Sequence, residues 1–224
     1  MQLAIDSDLT AGDAYEVVRK TPWFSYDRTL KRALDIALSL LGLIGTAPIW
    51  LAIAIAIRLD SPGPVFFVQE RAGLNGKGFR FIKFRSMYVD AADRLEQLQH
   101  LNEVDGPVFK MRRDPRITRV GRLLRRTSLD EMPQFLNVLK GEMSLVGPRP
   151  PLPSEVVHYR PSDAIRLSVK PGLTCYWQIR GRSECSFDQW MAYDREYVSS
   201  MSLLADVKIL FGTLTAVLTG RGAY

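Results

Sequence analysis

The alternation of apolar and polar positions divides the chain into one membrane-like segment and a series of short elements. Ile36 to Ile57 is a run of 22 residues without a charge. At about 1.5 Å per helical residue it is long enough to cross a hydrocarbon core of about 30 Å. A buried helix of a soluble protein is the alternative, and a secretory signal fits poorly because a long, partly acidic stretch precedes the run. Pro48 lies near its middle, after Gly42, Gly45 and Thr46, where a proline removes a hydrogen bond and bends or ends a helix. Both flanks are basic, with Arg28, Lys31 and Arg32 before and Arg58, Arg71, Lys77 and Arg80 after. Positive charge concentrates on the cytoplasmic side of a crossing segment. Two basic flanks therefore predict a re-entrant helix-break-helix over residues 28–60, turning at Ala47-Pro48, with its freed backbone groups satisfied by Thr46 or by packed protein. Asp35, one turn inside, is expected near the headgroups.

Beyond this segment the periods shorten. Pro62-Gly63-Pro64 marks a turn, and Val65–Val68 and Phe79–Phe84 read as two strands of a hairpin linked through Asn75-Gly76. Ala91 to Leu101 has helical composition, with Leu95, Leu98 and Leu101 on neighbouring turns. Arg112, Arg116, Arg119, Arg122 and Arg126 recur at spacings that gather them on one face of a helix begun by Pro115 and weakened by Gly121. Pro133 belongs to the first turn of the next helix, which starts near Leu129 or Asp130 and stops at Gly141. Positions 203, 204, 207, 210, 211, 214, 217 and 218 are apolar, a helical stripe that packs on the core or lies on a membrane. The fold class expected is α+β: a mostly helical body with a small β-hairpin, anchored by the N-terminal apolar segment.

Composition narrows the partners. The chain has 224 residues, 46% hydrophobic and 24% charged, which suits one folded domain and excludes disorder. A net charge of +6 favours a polyanionic partner: nucleic acid, nucleotide or anionic membrane. Cys175 and Cys185, with only His100 and His158 as companions, form neither a zinc spacing nor a disulfide framework.

The candidate chemistry sits at Asp130-Glu131. Two consecutive acids follow a stretch, Lys110 to Arg126, that holds eight Lys or Arg against a single acid, Asp114. Ser128-x-x-Glu131 also matches a capping box, and Asp130 could serve as an N-cap. Against capping, magnesium prefers one or two carboxylates together with substrate phosphates, and such a pair beside many cations has that composition. Arg149, between Pro148 and Pro150, is aimed by a stiff loop that suits bidentate phosphate recognition; a plain turn is the other reading. Lys170 to Thr174 and Trp177 to Arg182 form a further turn-rich basic and aromatic region.

Five segments then carry a family resemblance: Lys83-Phe84-Arg85-Ser86-Met87, Asp114 to Thr118, Arg126 to Gln134, Asn137 to Pro150, and Lys170 to Thr174. In this order, and over about Tyr26 to Tyr224, the chain resembles the bacterial sugar transferases, monotopic phosphoglycosyl transferases that begin polysaccharide assembly on a polyprenyl phosphate. The resemblance implies transfer of a sugar 1-phosphate from a UDP-sugar to undecaprenyl phosphate with release of UMP and a requirement for Mg2+. It implies that Asp130 is a nucleophile forming a covalent phosphosugar enzyme, with Glu131 beside it in metal binding or proton handling. Arg125, Arg149, Arg182, Lys83 and Arg85 belong to the implied phosphate- and nucleotide-binding set, and Pro48 to the membrane break. It further implies residence on the cytoplasmic face of the bacterial inner membrane and a product that enters exopolysaccharide, capsule or O-antigen. Glucose or galactose is the expected sugar, no nucleic acid is expected, and a homodimer is left open.

The expected organisation is an extension over 1–27, the hairpin over 28–60 and a catalytic domain over 61–224 ending in an amphipathic helix. Ala47 stands where small relatives often have serine, and Cys175-Tyr176 where glycine is common. Nothing in residues 1–32 resembles the multi-span region of larger members, so the short form is expected. Two rival readings are a membrane-tethered basic module that binds nucleic acid or anionic lipid, and a soluble nucleotide-binding enzyme with a buried apolar helix.

Overall fold

The first element of the computed structural model, which describes residues 28–104, 106–181 and 185–219, is a 33-residue helix, α1 (Arg28–Asp60). The extension over 1–27 lies outside the described residues. Helical structure runs through Pro48, so the expected break does not divide α1 into two elements. A proline removes one N–H, the partner of the carbonyl four residues earlier, and leaves the other turns intact. Thr46 reinforces this turn: its Oγ1 donates to the Gly42 carbonyl at 2.6 Å and accepts the Trp50 indole N–H at 3.1 Å.

The two ends of α1 are tied to the same globular body, while its middle stands exposed. Near the start, Arg32 donates to the carbonyls of Val138 (2.5 Å) and Leu139 (2.7 Å), a cation on the carbonyl end of another helix. Lys31 pairs with Asp206 at 2.5 Å. Near the end, Ile53 and Ile57 are buried with Phe84, Leu124 and Met132, and the Asp60 carboxylate accepts the Val120 N–H at 2.9 Å. Between them Leu40, Leu41, Ile44 and Ile49 are exposed. Asp35 is buried rather than placed at a surface, because Ser144 and Leu145 supply its hydrogen bonds.

The hairpin forms as the alternation predicts. β1 (Phe66–Ala72) and β2 (Gly78–Phe84) pair antiparallel, with Phe67 opposite Lys83 and Arg71 opposite Phe79. Asn75 and Gly76 take the left-handed backbone that the connection requires. Asn137, fully buried, satisfies the edge of β2: its Oδ1 accepts the Ile82 N–H and its Nδ2 donates to the Arg80 carbonyl at 2.7 Å.

After the hairpin come α2 (Leu95–Leu98), α3 (Arg119–Arg126) and α4 (Gln134–Lys140). α3 starts later than the expected Pro115. Asp114 accepts the Arg116 N–H in a local turn, Met87 bridges Ile117, and the Thr118 side chain caps the helix by accepting the Gly121 N–H at 2.9 Å. Arg112 and Arg116 consequently lie outside the helix, and the single basic face does not form. α4 also starts later than expected, since a 3-10 turn over Leu129–Glu131 precedes it.

β3 (Ser144–Val146) and β4 (Gly172–Thr174) pair in parallel, joined across α5 (Pro153–Val156) and α6 (Pro161–Ala164). Gly147 and Gly172 are both necessary, since a Cβ on Gly172 would fall 2.1 Å from the Gly147 nitrogen. α7 (Tyr176–Arg180), α8 (Phe187–Ser200) and α9 (Leu203–Thr219) close the fold. The main core gathers Phe79, Phe81, Val138, Met143, Tyr197 and Ile209. α9 turns Ala205 and Ile209, which lie outside the expected apolar stripe, into the core, with Leu210 packed beside them, while Leu203, Leu204, Val207, Phe211 and Leu214 of the stripe are exposed.

Candidate functional site

The acid pair stands on a strained turn. Ser128, at φ 57° and ψ 17°, holds the left-handed conformation that L residues avoid. Its N–H bonds the Arg125 carbonyl at 3.1 Å, closing the end of α3, and the chain then reverses into the turn Leu129–Glu131. Ser128 therefore ends one helix instead of capping the next: its side chain makes no capping hydrogen bond, and the capping-box reading is set aside. The reversal brings Asp130 and Glu131 to the wall of a cavity of about 580 Å³.

Of the residues expected at the site, Lys83, Arg125, Asp130, Glu131 and Arg149 line this one cavity. Arg85 does not. Its guanidinium donates to the carbonyls of Ser61 (2.7 Å) and Pro62, tying down the exit of α1. Pro48 is exposed on α1, away from the cavity. Arg182 lies outside the described residues. The cavity also recruits residues that spacing did not single out as site residues: Arg71, Lys110, Asp114, Arg116, Glu155, Trp177 and Gln178. Arg71 reads in sequence only as a basic flank, and Trp177-Gln178 only as part of an aromatic turn.

The cavity is strongly charged. Six cations and four acids line it, and Arg116 is already neutralised by Asp114 at 2.7 Å. Burial lowers Lys83 to about 8, with Arg125 adding repulsion and Asp130 opposing it. Burial likewise lowers Arg71 to about 10, with Arg149 contributing, and it lowers Arg125 and Lys110. Cations held below their ordinary values in a partly desolvated space gain most from an incoming anion. Glu131 moves the other way, raised to about 7 by burial and then by the neighbouring Asp130 charge. Gln178 Nε2 donates to Glu131 at 3.5 Å.

Arg149 is held by rings and by backbone. Its guanidinium carbon lies 5.9 Å from the Trp177 ring centroid and 5.7 Å from that of Trp190. Its carbonyl accepts Arg166 Nη2 at 2.8 Å, and Arg166 pairs with Asp194 at 2.8 Å in a nearly solvent-free position. The Trp177 indole N–H is buried with no hydrogen-bond partner among the described residues.

A mostly helical body thus carries a long apolar N-terminal helix and a cation-rimmed cavity around two adjacent acids. Comparison with known proteins gives the family. The model of the bacterial sugar transferase family matches residues 26–220, and the chain belongs to that family. It is 44% identical over 214 residues to the galactosyl transferase CpsE of Streptococcus agalactiae, covering 94% of this chain and 47% of that protein. To the exopolysaccharide production protein ExoY of Rhizobium meliloti it is 39% identical over 198 residues, 87% of this chain and 88% of the relative. To the UDP-glucose:undecaprenyl-phosphate glucose-1-phosphate transferase of Escherichia coli it is 42% identical over 212 residues, 91% of this chain and 43% of that enzyme. The chain thus spans about half the length of two of these relatives and most of the third.

Proposed function

We propose that this chain transfers a sugar 1-phosphate, of glucose or galactose, from a UDP-sugar to undecaprenyl phosphate, forming undecaprenyl-diphosphate-sugar and UMP as the first step of exopolysaccharide, capsule or O-antigen assembly. The observation that carries the proposal is the placement of Asp130 and Glu131 in one cavity with Lys83, Arg71, Arg125 and Arg149. The names of the relatives support the same donor and acceptor classes.

Asp130 carries the covalent step. Its carboxylate attacks the phosphorus that bears the sugar, a P–O bond to that phosphorus forms, and the bond to the bridging oxygen breaks, so that UMP leaves with the electron pair. A phosphate oxygen of the lipid then attacks the same phosphorus and Asp130 departs as carboxylate. Splitting the transfer means the two anionic substrates need not share the cavity. Lys83, Arg125 and Arg149 offset charge on the phosphate oxygens at both stages.

The acids fit a divalent cation. They adjoin, and the repulsion that contributes to raising Glu131 is what a cation relieves. No cluster of three His, Cys, Asp or Glu suited to a metal occurs among the described residues, so the remaining ligands fall to substrate phosphates and water, the habit of Mg2+. Asp130 and Glu131 would hold Mg2+, which supplies charge neutralisation at the diphosphate.

The apolar helix supports a membrane setting for this chemistry. α1 is long and apolar enough to enter a bilayer. With both ends fastened to one body and both flanks basic, the favoured topology is re-entrant, bent near Pro48, on the cytoplasmic face of the inner membrane. The decisive assay incubates the protein with undecaprenyl phosphate, Mg2+ and a panel of UDP-sugars and follows UMP. Release is expected with UDP-glucose or UDP-galactose; no release with any donor refutes the proposal. Accessibility labelling of single cysteines beside Arg32 and Arg58 tests the topology, and labelling from opposite faces would overturn the re-entrant form.

A further inference from the structure

Where β1 follows the exit of α1, three consecutive large apolar side chains stand in the open. Phe66, Phe67 and Val68 are 42%, 39% and 41% exposed. A half-buried strand alternates, so three exposed apolar residues in a row leave apolar surface on both faces. Phe66 stacks on Phe84 with centroids 5.3 Å apart and reaches Trp50 of α1 at 6.3 Å. Phe67 lies opposite Lys83, whose Nζ is 5.3 Å from the ring centroid. Lys83 lines the cavity that holds Asp130. Phe66 shares the strand face that meets Trp50 and Phe84, and Phe67 the opposite face with Lys83, so apolar side chains flank both sides of the start of β1 between the apolar helix and a cation at the acid pair.

This start is fixed in place. Arg85 holds the carbonyls of Ser61 and Pro62, the Arg85 N–H bonds the Val65 carbonyl at 2.8 Å, and Arg58 donates to the Gly63 carbonyl at 3.0 Å. The start of β1 is thus held against the end of α1.

We infer that the exposed start of β1, with Trp50, seats the first isoprene units of the polyprenyl acceptor and delivers its phosphate to Lys83. The occupant follows from the two sides of this start. One side meets the apolar helix and the other a buried-side cation facing the cavity, which matches an amphiphile with an apolar chain and a phosphate head. The inference rests on the acceptor class proposed above.

The test uses the full chain and geranyl phosphate, a water-soluble ligand that reports on the seat without membrane partition. Phe67→Ser and Val68→Thr change exposed side chains, and circular dichroism confirms that the fold is kept. Phe67→Ser is expected to weaken geranyl phosphate binding roughly tenfold, and Val68→Thr about threefold, as expected for losing part of a buried apolar contact. Undecaprenyl phosphate KM should rise in parallel, with the UDP-sugar KM and co-sedimentation with phosphatidylglycerol vesicles at wild-type values. Unchanged geranyl phosphate affinity overturns the inference, and if vesicle binding falls at the same time the patch is a bilayer contact. A wild-type protein that binds geranyl phosphate through Phe67 but releases UMP from no donor keeps the seat and sinks the proposed reaction instead.

Discussion

The Asp35 carboxylate accepts the backbone N–H of Leu145 at 2.9 Å, and the same oxygen accepts the Ser144 hydroxyl at 3.0 Å. An acid in the apolar helix is thereby an internal part of the body that carries Arg149, four residues beyond Leu145. Asp35→Ala leaves a buried N–H and a buried hydroxyl without their acceptor, which costs about 1–3 kcal/mol. Thermal unfolding in detergent is expected to show the midpoint several degrees lower, with Asp35→Asn intermediate because its amide oxygen still accepts.

Asp130 is expected to be essential to the reaction and dispensable to the fold. Asp130→Asn should lower UMP release more than about a thousandfold, the scale on which removal of a nucleophile acts. Intact-protein mass spectrometry should detect a phosphosugar adduct on the wild type given donor alone, and none on the variant. Its unfolding midpoint should match or exceed that of the wild type, since the site concentrates charge at some expense of stability. An adduct on the variant would reassign the nucleophile.

Glu131 links stability to pH in a definite direction. Its folded value, about 7, lies above its ordinary 4.5, so between those values the folded chain binds the extra proton. Stability is then greatest below about 4.5 for this group and is lost as pH rises towards 7. With chelator present, Glu131→Gln should remove a contribution on the order of 1–2 kcal/mol to that slope, a figure reduced for solvent screening. Denaturant titrations at pH 5 and pH 8 measure it, and equal slopes in the two proteins would count against the raised value.

Gly121 opposes its helix propensity. On propensity alone Gly121→Ala in α3 would gain about 1 kcal/mol. The added Cβ would stand 2.0 Å from the Ser86 carbonyl oxygen and under 3 Å from two further backbone atoms of Ser86. Backbone cannot move aside as a flexible side chain can, so the expected result is a loss of about 1–3 kcal/mol, read from denaturant unfolding. A stabilised variant would mean that α3 and the Ser86 segment separate easily.

Local features were legible without the fold. The hairpin follows from alternation and from Asn75-Gly76, two residues that take a positive φ at small cost, and the C-terminal helix follows from its stripe. The charge-free run announces an apolar helix because its composition alone suffices for that. Helix starts were less legible: Asp114, Thr118 and Ser128 make side-chain or backbone contacts that moved α3 and α4 downstream of the positions the prolines suggested. Arg85 and Arg125 look alike in sequence, yet one fastens the exit of α1 and the other lines the cavity.

By itself the sequence determined the apolar helix with its basic flanks, the hairpin, the family, and the Asp130-Glu131 pair as the place to look. All of these depend on residue type and on neighbours a few positions apart. The tertiary structure decided which cations face the acids, that Asp35 is buried, and that Ser128 takes a left-handed turn instead of capping a helix. The cations and Asp35 depend on hydrogen-bond partners and desolvation supplied from far along the chain, such as Leu145 for Asp35 or Gln178 for Glu131, and Ser128 on the chain reversal from α3 into the acid turn.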